Sequence, residues 1–193
     1  MIKTVQNLSG EFIPPPESGS KKIMRSVLLF PHFHDTVELD QVRSMFDSAY
    51  TKIQPHITLV FPFSSFYSAA KVRTEVISAA TGIAPFNITL TDVVVKDSFL
   101  FMLPSEGKES VKALFHALYT GLFRPFLPSV LEQEEFIPHM TIGTCSSETA
   151  QGRLSAAKAV LGKYSALIDT VTVEIIGDNS ESIIESEIPL HKY

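Results

Sequence analysis

Cysteine is nearly absent from this chain: Cys145 is the only one in 193 residues. An internal disulfide framework is therefore excluded, and with it the small secreted folds that depend on one. With no histidine partner evident to activate it, Cys145 reads as a small buried residue and not as a nucleophile. Long apolar runs are missing too. Val27-Leu28-Leu29-Phe30 is strand-sized, far short of the ~20 residues a membrane helix needs. The start, Met1-Ile2-Lys3-Thr4, leads into polar residues and then Pro14-Pro15-Pro16 with no signal-like apolar stretch. These absences predict a soluble, cytoplasmic protein with no membrane association. A basic excess is lacking as well. The formal net charge is -5 and the sequence pI about 5.7, which argues against coating long duplexes and leaves room for a small or end-recognised anion in a local cleft.

No linker-like shift in composition divides the chain, so residues 1–193 are expected to form a single domain of two closely packed lobes. Residues 1–24 read as an N-terminal arm, with the prolines, serines and glycine from Pro14 to Lys22 giving an arm or surface loop.

Periodicity supplies the elements. Val27 to Phe30 reads as a buried strand, and Asp35 with Glu38 has capping-box spacing ahead of a helix whose apolar face is Leu39, Val42, Phe46 and Ala49. A strand is expected from Ile53 to Phe61, stopped by Pro62. A second helix carries Ala69, Val72, Val76 and Ala80 and closes at Gly82. Phe86 to Leu90 alternates as a strand, and Val93 to Val95 and Phe99 to Leu103 flank an Asp97-Ser98 turn as a hairpin. Ser105 is the candidate cap of a third helix with Val111, Leu114, Leu118 and Leu122, ended by the prolines between Arg124 and Pro128. A strand from Phe136 to Gly143, a helix entered at Ser146-Ser147 with Leu154, Ala157 and Leu161, and strands over Ala166 to Ile176 and Ser182 to Pro189 complete the chain.

The sequence Pro-His-apolar-Thr occurs once in each half, as Pro55-His56-Ile57-Thr58 and Pro138-His139-Met140-Thr141. Strand side chains alternate between faces. His56 and Thr58 therefore share one face and His139 and Thr141 another, while Ile57, Leu59, Met140 and Ile142 turn to the core. A histidine titrates near neutrality, so one imidazole can act as base and the other as acid. Each threonine two positions on adds a hydroxyl able to donate to a phosphoryl oxygen. A lone strand histidine is more often structural, bonded to a backbone carbonyl. The repetition of the whole tetrad, with matching apolar flanks, is what favours a functional pair.

On these residues, with the flanks Leu59-Val60-Phe61 and Phe136-Ile137 through Ile142-Gly143, the chain resembles the two-histidine phosphoesterase superfamily, which includes LigT-like RNA 2',3'-cyclic phosphodiesterases and 2'-5' RNA ligases. The resemblance runs from Arg25 to the last strands. It implies an α+β, bilobal fold with two pseudo-symmetric lobes, mainly antiparallel sheets and a central cleft. It implies His56 and His139 as the acid/base pair, Thr58 and Thr141 as phosphate-binding hydroxyls, and no metal or other cofactor. The implied activity is hydrolysis of a cyclic or related phosphodiester on an RNA terminus or small nucleotide, with 2'-5' ligation in some relatives. No obligate protein partner is evident.

Two other readings belong beside it. A module that binds RNA ends or nucleotides without turnover needs the same imidazoles and hydroxyls. His32 and His34, in Pro31-His32-Phe33-His34-Asp35, have the spacing of a metal-binding pair, but coordination needs three or four ligands, and a loop leading into the helix cap explains them more simply. Lys96, Lys108, Lys112 and Arg124 are candidate anion contacts against the ordinary alternative of solvated surface charge.

Overall fold

The structure, a computed structural model, describes residues 21–191. Residues 1–20 of the expected arm, with most of Pro14 to Lys22, lie outside the described residues. Residues 23 and 24 do not belong to an arm, because the first strand, β1 (Ile23–Leu29), already includes them. The remaining elements are α1 (Val37–Phe46), β2 (Ile57–Ser65), α2 (Ala69–Ala80), β3 (Phe86–Lys96), β4 (Phe99–Glu106), α3 (Lys108–Leu118), β5 (Met140–Thr144), α4 (Ala150–Val160), β6 (Tyr164–Ile168), β7 (Thr170–Ile176) and β8 (Ser182–Pro189). Two single 3-10 turns, Arg124–Phe126 and Ser129–Glu132, carry the chain from α3 towards β5. None of the described helices is long and apolar enough to cross a membrane.

Among the described residues, all eight strands pair antiparallel in one sheet of order β6-β3-β4-β5-β2-β1-β7-β8. The sheet divides into two four-stranded halves, β8-β7-β1-β2 and β6-β3-β4-β5, joined at β2 and β5, where the ladder is reduced to the pair Ile57↔Met140. This is the α+β, bilobal, pseudo-symmetric and mainly antiparallel architecture expected from the sequence. The repeat is not laid out as two successive halves, however. One lobe is continuous from β3 to β6; the other takes β1 and β2 from the start of the chain and β7 and β8 from its end. Two of the helices cross between lobes. The helix leading into β2, α1, packs on β5 and α4, and the helix between β4 and β5, α3, packs on β2 and α2. Buried Val27, Leu29, Leu59, Val60, Leu100, Met102, Ile142 and Val173 fill the shared core between helices and sheet.

Several boundaries differ from the periodic reading, each for a local reason. The cap of α1 is Thr36, not Asp35. The Asp35 carboxylate accepts from the Val37 N–H at 3.0 Å, and the Thr36 hydroxyl donates to Asp40 at 2.7 Å. The helix ends at Phe46, so Ala49 lies beyond it. Pro62 does not stop β2. It sits in a bulge, where Phe61 and Pro62 together face Ser26 and no regular ladder bond is required of it. Phe86 to Lys96 is one strand with an irregularity near Thr91, and Ser105 lies at a second irregularity, its hydroxyl donating to the Thr89 carbonyl at 3.2 Å. The cap of α3 is Gly107, at φ 81°, a conformation that glycine alone adopts cheaply. Leu122 lies past the end of α3. The late strand expected over Ala166 to Ile176 breaks at Asp169 into β6 and β7, which stand at opposite sides of the sheet. Cys145 is buried, 8% exposed, within the core.

Candidate active site

Both motif histidines stand one residue ahead of a strand, His56 before β2 and His139 before β5, and not inside longer strands starting at Ile53 and Phe136. The strands start after them because the preceding backbone is used differently. Nδ1 of His56 bonds the Gln54 carbonyl at 2.8 Å, and Nδ1 of His139 bonds the Ile137 carbonyl at 2.7 Å. A carbonyl only accepts, so each Nδ1 carries the proton. The unprotonated nitrogen of each neutral ring is then Nε2. The same two-residue loop of the chain orients both rings.

The seam settles which way the side chains project. Ile57 and Met140 pair directly, and both are fully buried. Directly paired residues share a face, so Thr58 and Thr141, one step further along each strand, emerge on the opposite face, where both are half-buried. The rings follow the threonines. Phe101 pairs with Thr141 and its ring centroid lies 3.9 Å from that of His139. Leu28 pairs with Thr58, and two residues on, the Phe30 ring lies 6.1 Å from the His56 ring. All four motif side chains thus share one face of the sheet, beside the narrowest ladder in the fold.

Burial sets the electrostatics. It lowers the pKa of His56 from 6.5; its carbonyl contact to Gln54 and the charge of Glu174 oppose the shift, and nearby Arg43 adds to it. Burial likewise lowers the pKa of His139, with the Ile137 carbonyl opposing and the charges of His56 and Lys96 reinforcing. The two imidazoles sense each other, so adding a proton to one makes a second harder to add. Such coupling disfavours the doubly protonated pair.

Sequence periodicity did not single out the aromatic wall beside this pair. Phe99 and Phe101 stack at 5.8 Å with planes 5° apart, and Phe101 packs in turn on His139. The available signal was parity: Leu100 and Met102 are buried on the core side of β4, which puts Phe99 and Phe101 on the cleft side. Of the candidate anion contacts, Lys96 pairs with Glu134 at 3.3 Å and Lys112 with Glu135 at 2.5 Å, fastening the loop that leads to His139, while Lys108 and Arg124 are exposed. His32 and His34 part company. His32 lines a cavity beside His56, and His34 lines another with Glu38 and Tyr164. No group of three or more His, Cys, Asp or Glu is arranged for a metal among the described residues.

Comparison with known proteins fits this geometry. A protein of Geobacillus thermodenitrificans, named only provisionally as a phosphoesterase, is 31% identical over 120 residues, 61% of this chain and 66% of its own length. A protein of Halalkalibacterium halodurans with the same provisional name is 26% identical over 171 residues, 86% of this chain and 96% of its own. Among solved structures, Escherichia coli LigT complexed with 3'-AMP superposes with a TM-score of 0.60 at 12% identity, covering 89% of this chain and 100% of that one. TT0787 of Thermus thermophilus superposes at 0.56 with 12% identity, covering 88% and 99%. These two show a shared fold. The sequence model of the 2'-5' RNA ligase superfamily matches residues 31–176, a stretch that contains both tetrads and the seam between them, and the chain belongs to that superfamily.

Proposed function

We propose that the protein hydrolyses a cyclic or related phosphodiester on an RNA end or a small nucleotide, with His56 and His139 as the acid/base pair. The observation that carries this reading is the matched pair of Nδ1-to-carbonyl hydrogen bonds, which leaves two basic Nε2 atoms on one face beside two threonine hydroxyls. A phosphate between the strands receives a hydrogen bond from Thr58 on one side and from Thr141 on the other. One neutral imidazole takes a proton from water as its oxygen bonds to phosphorus. The bond from phosphorus to the leaving oxygen breaks, and the other imidazole, entering protonated, gives that oxygen its proton. The roles are then exchanged, and transfer through solvent restores the starting protonation. Phe99 and Phe101 offer a flat apolar face to a base. That a neighbour in fold has been solved with 3'-AMP supports a nucleoside monophosphate as the reacting unit.

The test is turnover of nucleoside 2',3'-cyclic phosphates. Formation of a nucleoside monophosphate, slowed by about 10² to 10⁴ on loss of either histidine and retained after exhaustive chelation, is the expected result. Binding without turnover would instead identify a nucleotide-binding module, and a chelator-sensitive reaction would contradict a mechanism carried by the imidazoles alone.

A further inference from the structure

Glu174 is a buried carboxylate that the mechanism above leaves unused. It is 4% exposed and makes no ion pair among the described residues. Two hydroxyls hold it there: Ser26 Oγ donates to Oε1 at 2.6 Å, and Ser182 Oγ donates to Oε2. A buried carboxylate is costly unless a positive charge can arise near it.

Its place in the sheet shows where that charge can arise. Thr58 pairs with Leu28 and Leu28 with Thr172, so Thr172 and, two positions on, Glu174 share the face of the motif side chains. Hydrogen bonds lead from Glu174 to the loop that carries His56. Ser182, which holds Oε2, also donates its backbone N–H to the Lys52 carbonyl at 2.9 Å. The next carbonyl, that of Ile53, accepts from Arg43 Nη2 at 2.9 Å, and the one after it, that of Gln54, accepts from His56 Nδ1 at 2.8 Å. Three successive carbonyls before β2 are thus fastened, the first through a serine that Glu174 holds.

The charge of Glu174 reaches the ring as well. Burial lowers the pKa of His56, and after the Gln54 carbonyl the Glu174 charge is the largest effect opposing it. Asp47, just beyond α1, acts in the same direction, and Arg43, in α1, acts against it. His139 faces the ring across the seam, and His32, Asp40, Lys52 and Glu187 line the cavity beside it. At His139 the field has the other sign, because the charges acting there are those of His56 and the Lys96 cation.

We propose that Glu174 is a positioning residue for the reaction: it anchors the loop that aims His56 and supplies the negative charge that offsets the His56 imidazolium. The inference rests on the function proposed above and adds to that site a residue acting through His56.

Two variants separate charge from shape. Glu174→Gln keeps the length and an acceptor oxygen but removes the charge, whereas Glu174→Asp keeps the charge and shortens the reach. In 15N titrations of the ligand-free protein, His56 should titrate at lower pH in Glu174→Gln than in wild type, because the protonated ring has lost its counter-charge. His139 should not move down with it. One limb of the kcat/KM profile for a nucleoside 2',3'-cyclic phosphate should follow to lower pH while the other keeps its position. Glu174→Asp, though less stable, should leave the His56 titration near that of wild type. An unchanged His56 titration in Glu174→Gln, or equal shifts in both variants, overturns the proposal and leaves Glu174 a purely structural tie. If Glu174→Gln does not fold, Glu174→Asp decides alone: a wild-type titration supports the proposal and a displaced one overturns it. The titration needs no substrate, so a wild type without turnover overturns the proposed function separately from the bond between Glu174 and His56 protonation.

Discussion

Ile57 and Met140 face each other across the seam between the lobes, each fully buried and each flanked by the histidine and threonine of its motif. This one contact fixes the register of one tetrad against the other. Ile57→Ala should therefore cost about 2–5 kcal/mol of stability, as other large-to-small core changes do. Because α1 and α3 each pack on the other lobe's motif strand, denaturant should unfold wild type and variant in a single transition, with fluorescence and circular dichroism coinciding. Two separated transitions would show that the lobes fold independently.

Burial holds both histidines below the ordinary value of 6.5. In the free protein, the acid member gains its proton only as pH falls towards these lowered values, and the base member is lost to protonation at still lower pH. The pH profile of kcat/KM should therefore be a bell centred on the acid side of 6.5. A maximum above neutrality, or one ionisation in place of two, would contradict the assignment.

The nitrogen assignment is directly observable. At pH 8, 15N chemical shifts should show both rings as the Nδ1–H form, since each Nδ1 donates to a carbonyl. An Nε2–H form at either ring would mean that its basic nitrogen is turned away from the shared face.

Gly143 closes the second motif strand where a side chain has no room. A Cβ there would lie 2.6 Å from Cβ of Phe46 and 3.0 Å from its carbonyl oxygen. Gly143→Ala must push α1 away from β5 and should cost about 1–3 kcal/mol, the usual scale of overpacking. Thermal or denaturant unfolding measures it, and an unchanged midpoint would show that the helix end yields freely.

Much of this was legible in the primary structure. The tetrads announced themselves because a period of two and a repeated residue order are local properties, and both survive folding: Ile57 and Met140 are in the core and Thr58 and Thr141 are across the sheet from it. What was hidden depends on partners distant in sequence. Pro62 looked like a strand end until Ser26 supplied a bulge to hold it. Asp169 separates β6, at one edge of the sheet, from β7, next to the other edge, a fact of topology and not of composition. Phe99 and Phe101 read as ordinary strand residues, since only pairing of β4 with β5 brings them to the His139 ring. The cavity beside His56 likewise gathers residues from α1, the loop before β2, and the last two strands.

Thr58→Val and Thr141→Val each preserve β-branching while deleting one hydroxyl. Loss of a hydrogen bond to a charged phosphate oxygen should cost about 1.5–3 kcal/mol, or roughly one to two decades in product affinity or turnover. The pH profile should keep its position, because both imidazoles remain. Wild-type affinity and turnover in both variants would show that the hydroxyls do not hold phosphate.

The most direct measurement is single-turnover hydrolysis of a nucleoside 2',3'-cyclic phosphate by wild type, His56→Ala and His139→Ala, with folding verified for each. Positioned proton transfer is worth about 10² to 10⁴ in rate. Each variant should lose a factor in that range while still binding nucleoside 3'-monophosphate through the remaining threonine pair. Undiminished turnover in either folded variant would contradict the two-histidine mechanism.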